Sequence, residues 1–202
     1  MTNPPTIAGG IPWGFPGVVP LWGDYDGDLV ADMAVYNPAT TEWYIRSVDA
    51  IPPTIINGMP LGFAGAVPLS GDYDGDGVHD LAVFDPLTGT WYIRSLVIVP
   101  PTIVNGLPWG SPGMIPVPGD YDGDGVYDLA LFEPATGTWY IRSLVAVPVT
   151  IVNGLPWGSP GMIPVSGDYD GDGVYDLALF DPATNLWWIR SLGVNPSSAV
   201  LP

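Results

Sequence analysis

Sixteen of the 21 acidic side chains fall in four short clusters of one design. The second reads Asp72-Tyr-Asp74-Gly-Asp76-Gly77-Val78-His79-Asp80. Carboxylates stand at positions 1, 3, 5 and 9, and the backbone carbonyl of Val78 is available at position 7. This is the ligand order of an EF-hand loop that lacks the closing Glu at position 12. A tight loop turns every second side chain inward, and Gly77 permits the sharp bend. Four carboxylates held this close repel one another at neutral pH. Protonation or a hard cation relieves that repulsion. Calcium suits the set better than magnesium, which keeps its own water and tolerates little irregularity. With no cysteine and one histidine in the chain, zinc and copper are poor candidates.

The equivalent sets are Asp24, Asp26, Asp28, Val30 and Asp32; Asp120, Asp122, Asp124, Val126 and Asp128; and Asp168, Asp170, Asp172, Val174 and Asp176. The expectation is about four Ca2+ ions, one per loop, with the valines contributing carbonyl oxygen. In the first loop Leu29 replaces the glycine of position 6. A leucine at positive φ costs roughly 1 kcal/mol, so this site is expected to be the weakest, by up to about tenfold.

Other chemistry is sparse. The chain has no Cys, no Lys and a single His, and no nucleophile–base pair can be assembled, so no enzyme is expected. His79 is read as an exposed loop residue. The four arginines, Arg46, Arg94, Arg142 and Arg190, recur at one position of a strand. If the hairpin pairs Asp85 with Trp91, Arg94 lies opposite Ala82, as a structural cation against a neighbouring sheet. A ring of ligand-binding arginines is the sharper alternative. Trp13, Trp109 and Trp157 lie in Pro-Trp-Gly turns, where exposed indoles can stack on sugars; Leu61 at the same place in the second repeat favours packing. Trp22 is read as a variation at the position of Leu69.

These residues are placed by a repeat. GDYDGD begins at Gly23, Gly71, Gly119 and Gly167, and an aromatic block begins at Trp43, Trp91, Trp139 and Trp187, both with a 48-residue period. Each repeat reads as four short strands. In the third these are Met114 to Pro118, Asp128 to Glu133, Trp139 to Ser143 and Val149 to Asn153. The turn before the aromatic block needs a residue at positive φ. Gly89, Gly137 and Asn185 suit it, and Thr41 suits it less well. In the third strand Trp139 and Ile141 point one way and Tyr140 and Arg142 the other. The second strand is apolar on both faces, so each sheet must lie between neighbours. The fold class expected is all-β, a β-propeller-like array of four four-stranded blades with a 48-residue repeat.

The whole chain, 1–202, is read as one repeat domain, with repeats at about 6–53, 54–101, 102–149 and 150–202. Thr6 to Gly17 matches Thr150 to Gly161, so an N-terminal strand at residues 5–10 can close the last blade or join a neighbouring molecule. Ser197 to Pro202 aligns weakly with the same strand.

The formal charge is −17, which repels nucleic acid and anionic membranes and attracts divalent cations. No uninterrupted apolar run is long enough for a membrane span, and the N-terminus carries no secretory signal pattern. The stretch Met162 to Pro182, which holds GDYDGDGVYDLALFDP, resembles the FG-GAP/VCBS repeat family of integrin α-chain heads and secreted bacterial propellers. All four repeats share the resemblance. It implies calcium in loops between strands, a secreted or cell-surface location and roles in adhesion or ligand binding. The functional expectation is a non-catalytic calcium-binding scaffold or adhesion module. The alternatives are a subunit that polymerises through its terminal strands and a lectin-like glycan binder. Expected partners are calcium, and either the chain itself or a surface glycan or protein.

Overall fold

The computed structural model describes residues 10–49, 51–97, 101–145 and 150–193. None of these residues is helical. The strands of the first blade are β1 (Val19–Gly23), β2 (Asp32–Asn37), β3 (Glu42–Arg46) and β4 (Thr54–Pro60). The second holds β5 (Val67–Gly71), β6 (Asp80–Asp85), β7 (Thr90–Arg94) and β8 (Thr102–Pro108). The third holds β9 (Ile115–Pro116), β10 (Leu129–Glu133), β11 (Thr138–Arg142) and β12 (Thr150–Pro156). The fourth holds β13 (Ile163–Gly167), β14 (Asp176–Asp181) and β15 (Leu186–Arg190). Every sheet is an antiparallel meander in chain order. The fold is all-β and propeller-like, with one blade per repeat. The fourth blade has three strands among the described residues. Residues 5–9 and Ser197 to Pro202, candidates for its outer strand, lie outside the described region.

The second and third strands of each blade carry the core. Leu129, Ala130, Leu131 and Phe132 are all buried, so β10 is covered on both faces, as its apolar composition requires. On β11 Trp139 and Ile141 are buried while Tyr140 and Arg142 are half-buried, the alternation of a pleated strand. Three clusters fill the spaces between blades. Tyr36, Trp43 and Ile45 of the first blade meet Leu81 and Val83 of the second. Phe84, Trp91 and Ile93 meet Leu129 and Leu131. Phe132, Trp139 and Ile141 meet Leu177 and Leu179. Each of the first three blades thus buries one face under the next.

Two bonds repeat at these junctions. The Nε1 of Trp43, Trp91 and Trp139 donates to the carbonyl of Leu61, Trp109 and Trp157, 3.0 Å away in each case. The amides of those same three residues donate to the carbonyls of Thr41, Gly89 and Gly137, at 3.1, 3.0 and 2.9 Å. The turn residues Thr41, Gly89, Gly137 and Asn185 all take positive φ, between 60° and 68°. A residue in this conformation closes each four-residue turn.

The hairpin register differs by one residue from the sequence expectation. Asp85 pairs with Thr90, so Arg94 lies opposite Leu81 and not Ala82. The cause is the turn. Asp85 accepts from the Leu87 amide and the Thr88 hydroxyl at 2.9 and 2.6 Å, and its carbonyl accepts from the Gly89 amide at 2.8 Å. These bonds fix a four-residue connection and leave Thr90 as the first paired residue. The outer strand is also longer than expected: β12 runs to Pro156, and register shifts against β11 bend it. Trp22 pairs with Met33 as Ser70 pairs with Leu81, so it fills the Ser70 slot and not that of Leu69. The Trp22 side chain is exposed, beside a central cavity of about 320 Å³ also lined by Ser70, His79, Tyr127 and Tyr175.

Candidate metal centre

Each Asp-rich loop is the connection between the first and second strands of a blade. Gly23 pairs with Asp32, Gly71 with Asp80 and Gly167 with Asp176, while an isolated bridge joins Gly119 to Asp128. The pairing clamps both ends of the loop. It also carries the ninth-position aspartate under the sheet, where Asp32, Asp80, Asp128 and Asp176 are buried.

The first aspartate organises the turn. In the second loop Asp72 Oδ1 accepts from the Gly75 amide at 2.6 Å and Oδ2 from the Gly77 amide at 2.8 Å. Asp24, Asp120 and Asp168 do the same in their own loops. Position 6 takes positive φ in every loop. It is 86° at Gly77, 88° at Gly125 and 89° at Gly173, and 70° at Leu29. The leucine therefore adopts the conformation that glycine adopts elsewhere, and its side chain lies in solvent at 91% exposure.

Carboxylates at positions 1, 3 and 9 converge in each loop. Asp24, Asp26 and Asp32 offer oxygens within 4.8 Å of one another, as do Asp72, Asp74 and Asp80; Asp120, Asp122 and Asp128; and Asp168, Asp170 and Asp176. The fifth-position aspartates Asp28, Asp76, Asp124 and Asp172 stand outside these groups of three. Each turns Oδ1 to the amide of the valine two residues on, at 2.8 to 2.9 Å. Those valines are Val30, Val78, Val126 and Val174. Their amides are held in this way, which fixes the peptide that carries the expected carbonyl donor.

The ninth aspartate carries the sharpest feature. Its Oδ2 accepts from the tyrosine amide of position 2: Tyr25 at 2.8 Å, and Tyr73, Tyr121 and Tyr169 at 2.7 Å. Its Oδ1 is buried without a hydrogen-bond partner in all four loops. A buried carboxylate oxygen left unpaired costs several kcal/mol unless a proton or a cation meets it. Burial raises the proton affinity of all four, and the neighbouring aspartates raise it further. Asp80 is pushed up to about 8 and Asp128 to about 7, with the amide bond to tyrosine acting in the opposite sense. Asp32 and Asp176 shift upward for the same reasons. The donor set is all oxygen, and it is incomplete in the way a cation completes it.

The loops also touch. The His79 amide donates to the Asp24 carbonyl at 2.6 Å, and those of Tyr127 and Tyr175 to the Asp72 and Asp120 carbonyls at 2.7 Å. His79 is accordingly half-buried between blades, not an exposed loop residue. Its ring stands 5.9 Å from that of Tyr25, and its Nδ1 lies 2.9 Å from the Ser70 hydroxyl. Burial holds the imidazole below its usual range. A methyl placed on Gly23 would strike the His79 ring, and on Gly71 or Gly119 it would strike Tyr127 or Tyr175. The glycine that opens each of the first three GDYDGD motifs is thus a contact residue between blades. Its recurrence was visible in the sequence, but its reason lies in the blade beside it.

The other candidates are packing residues. Trp109 and Trp157 are half-buried against the second and third clusters, the places that Leu61 fills in the first. The Arg46 guanidinium lies 5.8 Å from the centre of the Trp13 ring. The Arg142 Nε is buried without a hydrogen-bond partner. The arginines recur one per blade, at the ends of β3, β7, β11 and β15. No protein-family model, curated protein or solved structure matches the chain.

Proposed function

We propose that the protein is a non-catalytic scaffold stabilised by calcium, with one ion in each Asp loop, and that it works outside the cell. One observation carries the metal reading: the buried, unpartnered Oδ1 of Asp32, Asp80, Asp128 and Asp176, recurring on an aspartate that belongs to a converging set of carboxylates. The choice of calcium follows from the all-oxygen donors and the irregular loop. The extracellular setting follows from the affinity that such loops need and from the resemblance to FG-GAP/VCBS repeats. Since each of the first three loops is clamped by strand pairing and by the amide of the next blade, an ion held there also ties neighbouring blades together. A ligand that binds only the folded state adds about 2.7 kcal/mol per site at a concentration 100-fold above its dissociation constant.

Calorimetric titration and thermal melting test the reading together. The expected result is four calcium equivalents per chain and a melting temperature that falls sharply in chelator. A single melting temperature in calcium and in chelator overturns it. Magnesium at equal concentration is expected to stabilise less.

A further inference from the structure

Among the described residues, the fourth blade exposes the face that its three predecessors bury. Trp187 is 53% exposed, where Trp43, Trp91 and Trp139 are 0% exposed. Tyr169 is 42% exposed, where Tyr25, Tyr73 and Tyr121 are at most 2%. Leu186, Trp188 and Ile189 are exposed beside them. The outer edge of β15 pairs with no strand among the described residues. At the other end, the first blade presents the complement. Met33, half-buried, and Val35, buried within its own chain beside Gly14, occupy the places of Leu81 and Val83, which fill the junction between the first two blades. Trp13 stands one period before Leu61, the residue that follows β4 and bonds through its amide and carbonyl to Thr41 and Trp43 of the blade that β4 edges.

We infer that a second copy of the chain docks its first blade on this face, so that the molecules join head to tail through a fourth junction of the same kind. The occupant follows from continuity with the three junctions inside the chain. Each of their bonds has both halves present at the two ends, and among the described residues these halves are not joined to one another. Trp187 Nε1 would donate to the Trp13 carbonyl of the neighbour, as Trp139 Nε1 donates to that of Trp157. The neighbour's Trp13 amide would donate to the Asn185 carbonyl, as the Trp157 amide does to Gly137. The neighbour's Ala31 amide would donate to the Asp168 carbonyl, as that of Tyr175 does to Asp120. The segment Thr6-Ile-Ala-Gly-Gly-Ile-Pro12 has the sequence pattern of β4, β8 and β12, and would add an outer strand to the fourth blade, which has three among the described residues. The inference rests on the contacts between blades and is independent of the metal reading.

Register gives a direct test in a chain without cysteine. Ile45, Ile93 and Ile141 pair with Ile56, Val104 and Val152, which sets Ile189 opposite Ala8 of the neighbour. The full-length single variants Ala8→Cys and Ile189→Cys are mixed under mild oxidation. Ile189→Cys mixed with Leu87→Cys, in an exposed turn, sets the background from random collision. The expected result is a disulfide-linked heterodimer well above that background. Its absence overturns the proposal. So does a chain bearing both cysteines that oxidises only within itself, because the ring then closes alone. Light scattering of the unaltered chain is expected to give a mass that grows with concentration. Trp187→Ala is expected to abolish that growth while leaving the melting temperature of the dilute chain unchanged. Growth that survives Trp187→Ala overturns the assignment of the face.

Discussion

At the scale of single residues, the ninth aspartate of each loop decides how the protein responds to acid when metal is removed. Asp80 and Asp128 hold protons more tightly in the fold than in the unfolded chain, with folded values of about 8 and about 7. Folding therefore favours their protonated forms. Their contribution is fully present below the ordinary carboxylate range and is lost as pH rises through 7 and 8. The chelated protein is expected to melt higher at pH 5 than at pH 8.5. The calcium-loaded protein is expected to reverse that order, because the ion competes with the proton. Melting curves at the two pH values, with and without calcium, check both signs. Leu29 is the second decisive residue. At φ 70° it carries a strain of roughly 1 kcal/mol. Leu29→Gly is expected to raise the melting temperature in calcium and in chelator alike, because the loop is strained at this residue without a bound ion. No change in either reading refutes the assignment of strain. Both residues were legible in the sequence, since spacing marked the ligands and a broken glycine pattern marked Leu29. The division of labour among the aspartates was not legible. Spacing cannot say that Asp76 will serve a backbone amide while Asp80 goes under the sheet.

At the scale of the element, alternation of side chains and repeated turn residues located the strands, and the positive φ of Thr41 and Asn185 matches the turn expected of them. The one-residue error in hairpin register came from the hydrogen bonds of Asp85, which make the turn one residue shorter than the sequence pattern suggested. A shift of one residue exchanges the two faces of a strand, so it moved Arg94 from Ala82 to Leu81. Contacts between blades were the least legible part. The sequence shows that Gly71 recurs, but only the fold shows the Tyr127 ring lying on it. Gly71→Ala is expected to cost about 1–3 kcal/mol by overpacking. Tyr127→Ala in the same chain is expected to recover much of that loss, because the added methyl then has room. The double mutant measured against both singles gives the coupling. Additive losses contradict the contact.

At the scale of the whole molecule, charge and shape act together. Four divalent ions would cancel eight of the 17 net negative charges of each chain. Removing that repulsion eases the approach of identical molecules. If the Asp loops hold calcium and the chains join as inferred, assembly is expected to need calcium, and to return partly in chelator when salt is raised, because added ions screen the exposed charge. Light scattering across calcium and salt concentrations checks this. Assembly that is equally strong in chelator at low salt separates the two readings and leaves only the docking surface standing.

One substitution at the seam sets how such a polymer behaves. His79, Tyr127 and Tyr175 each lay an aromatic ring over the glycine of the preceding loop, but the first blade offers Ala31 in that slot. The methyl of Ala31 is too small to cover Gly167 or to replace the stacking that Tyr73 gains from Tyr127. The joint between chains is thus built on the plan of the joints within them, with its keystone left out. Under dilution or pulling force it is the fracture line. The material would come apart into intact subunits rather than torn ones, and could be taken down and rebuilt without unfolding a blade.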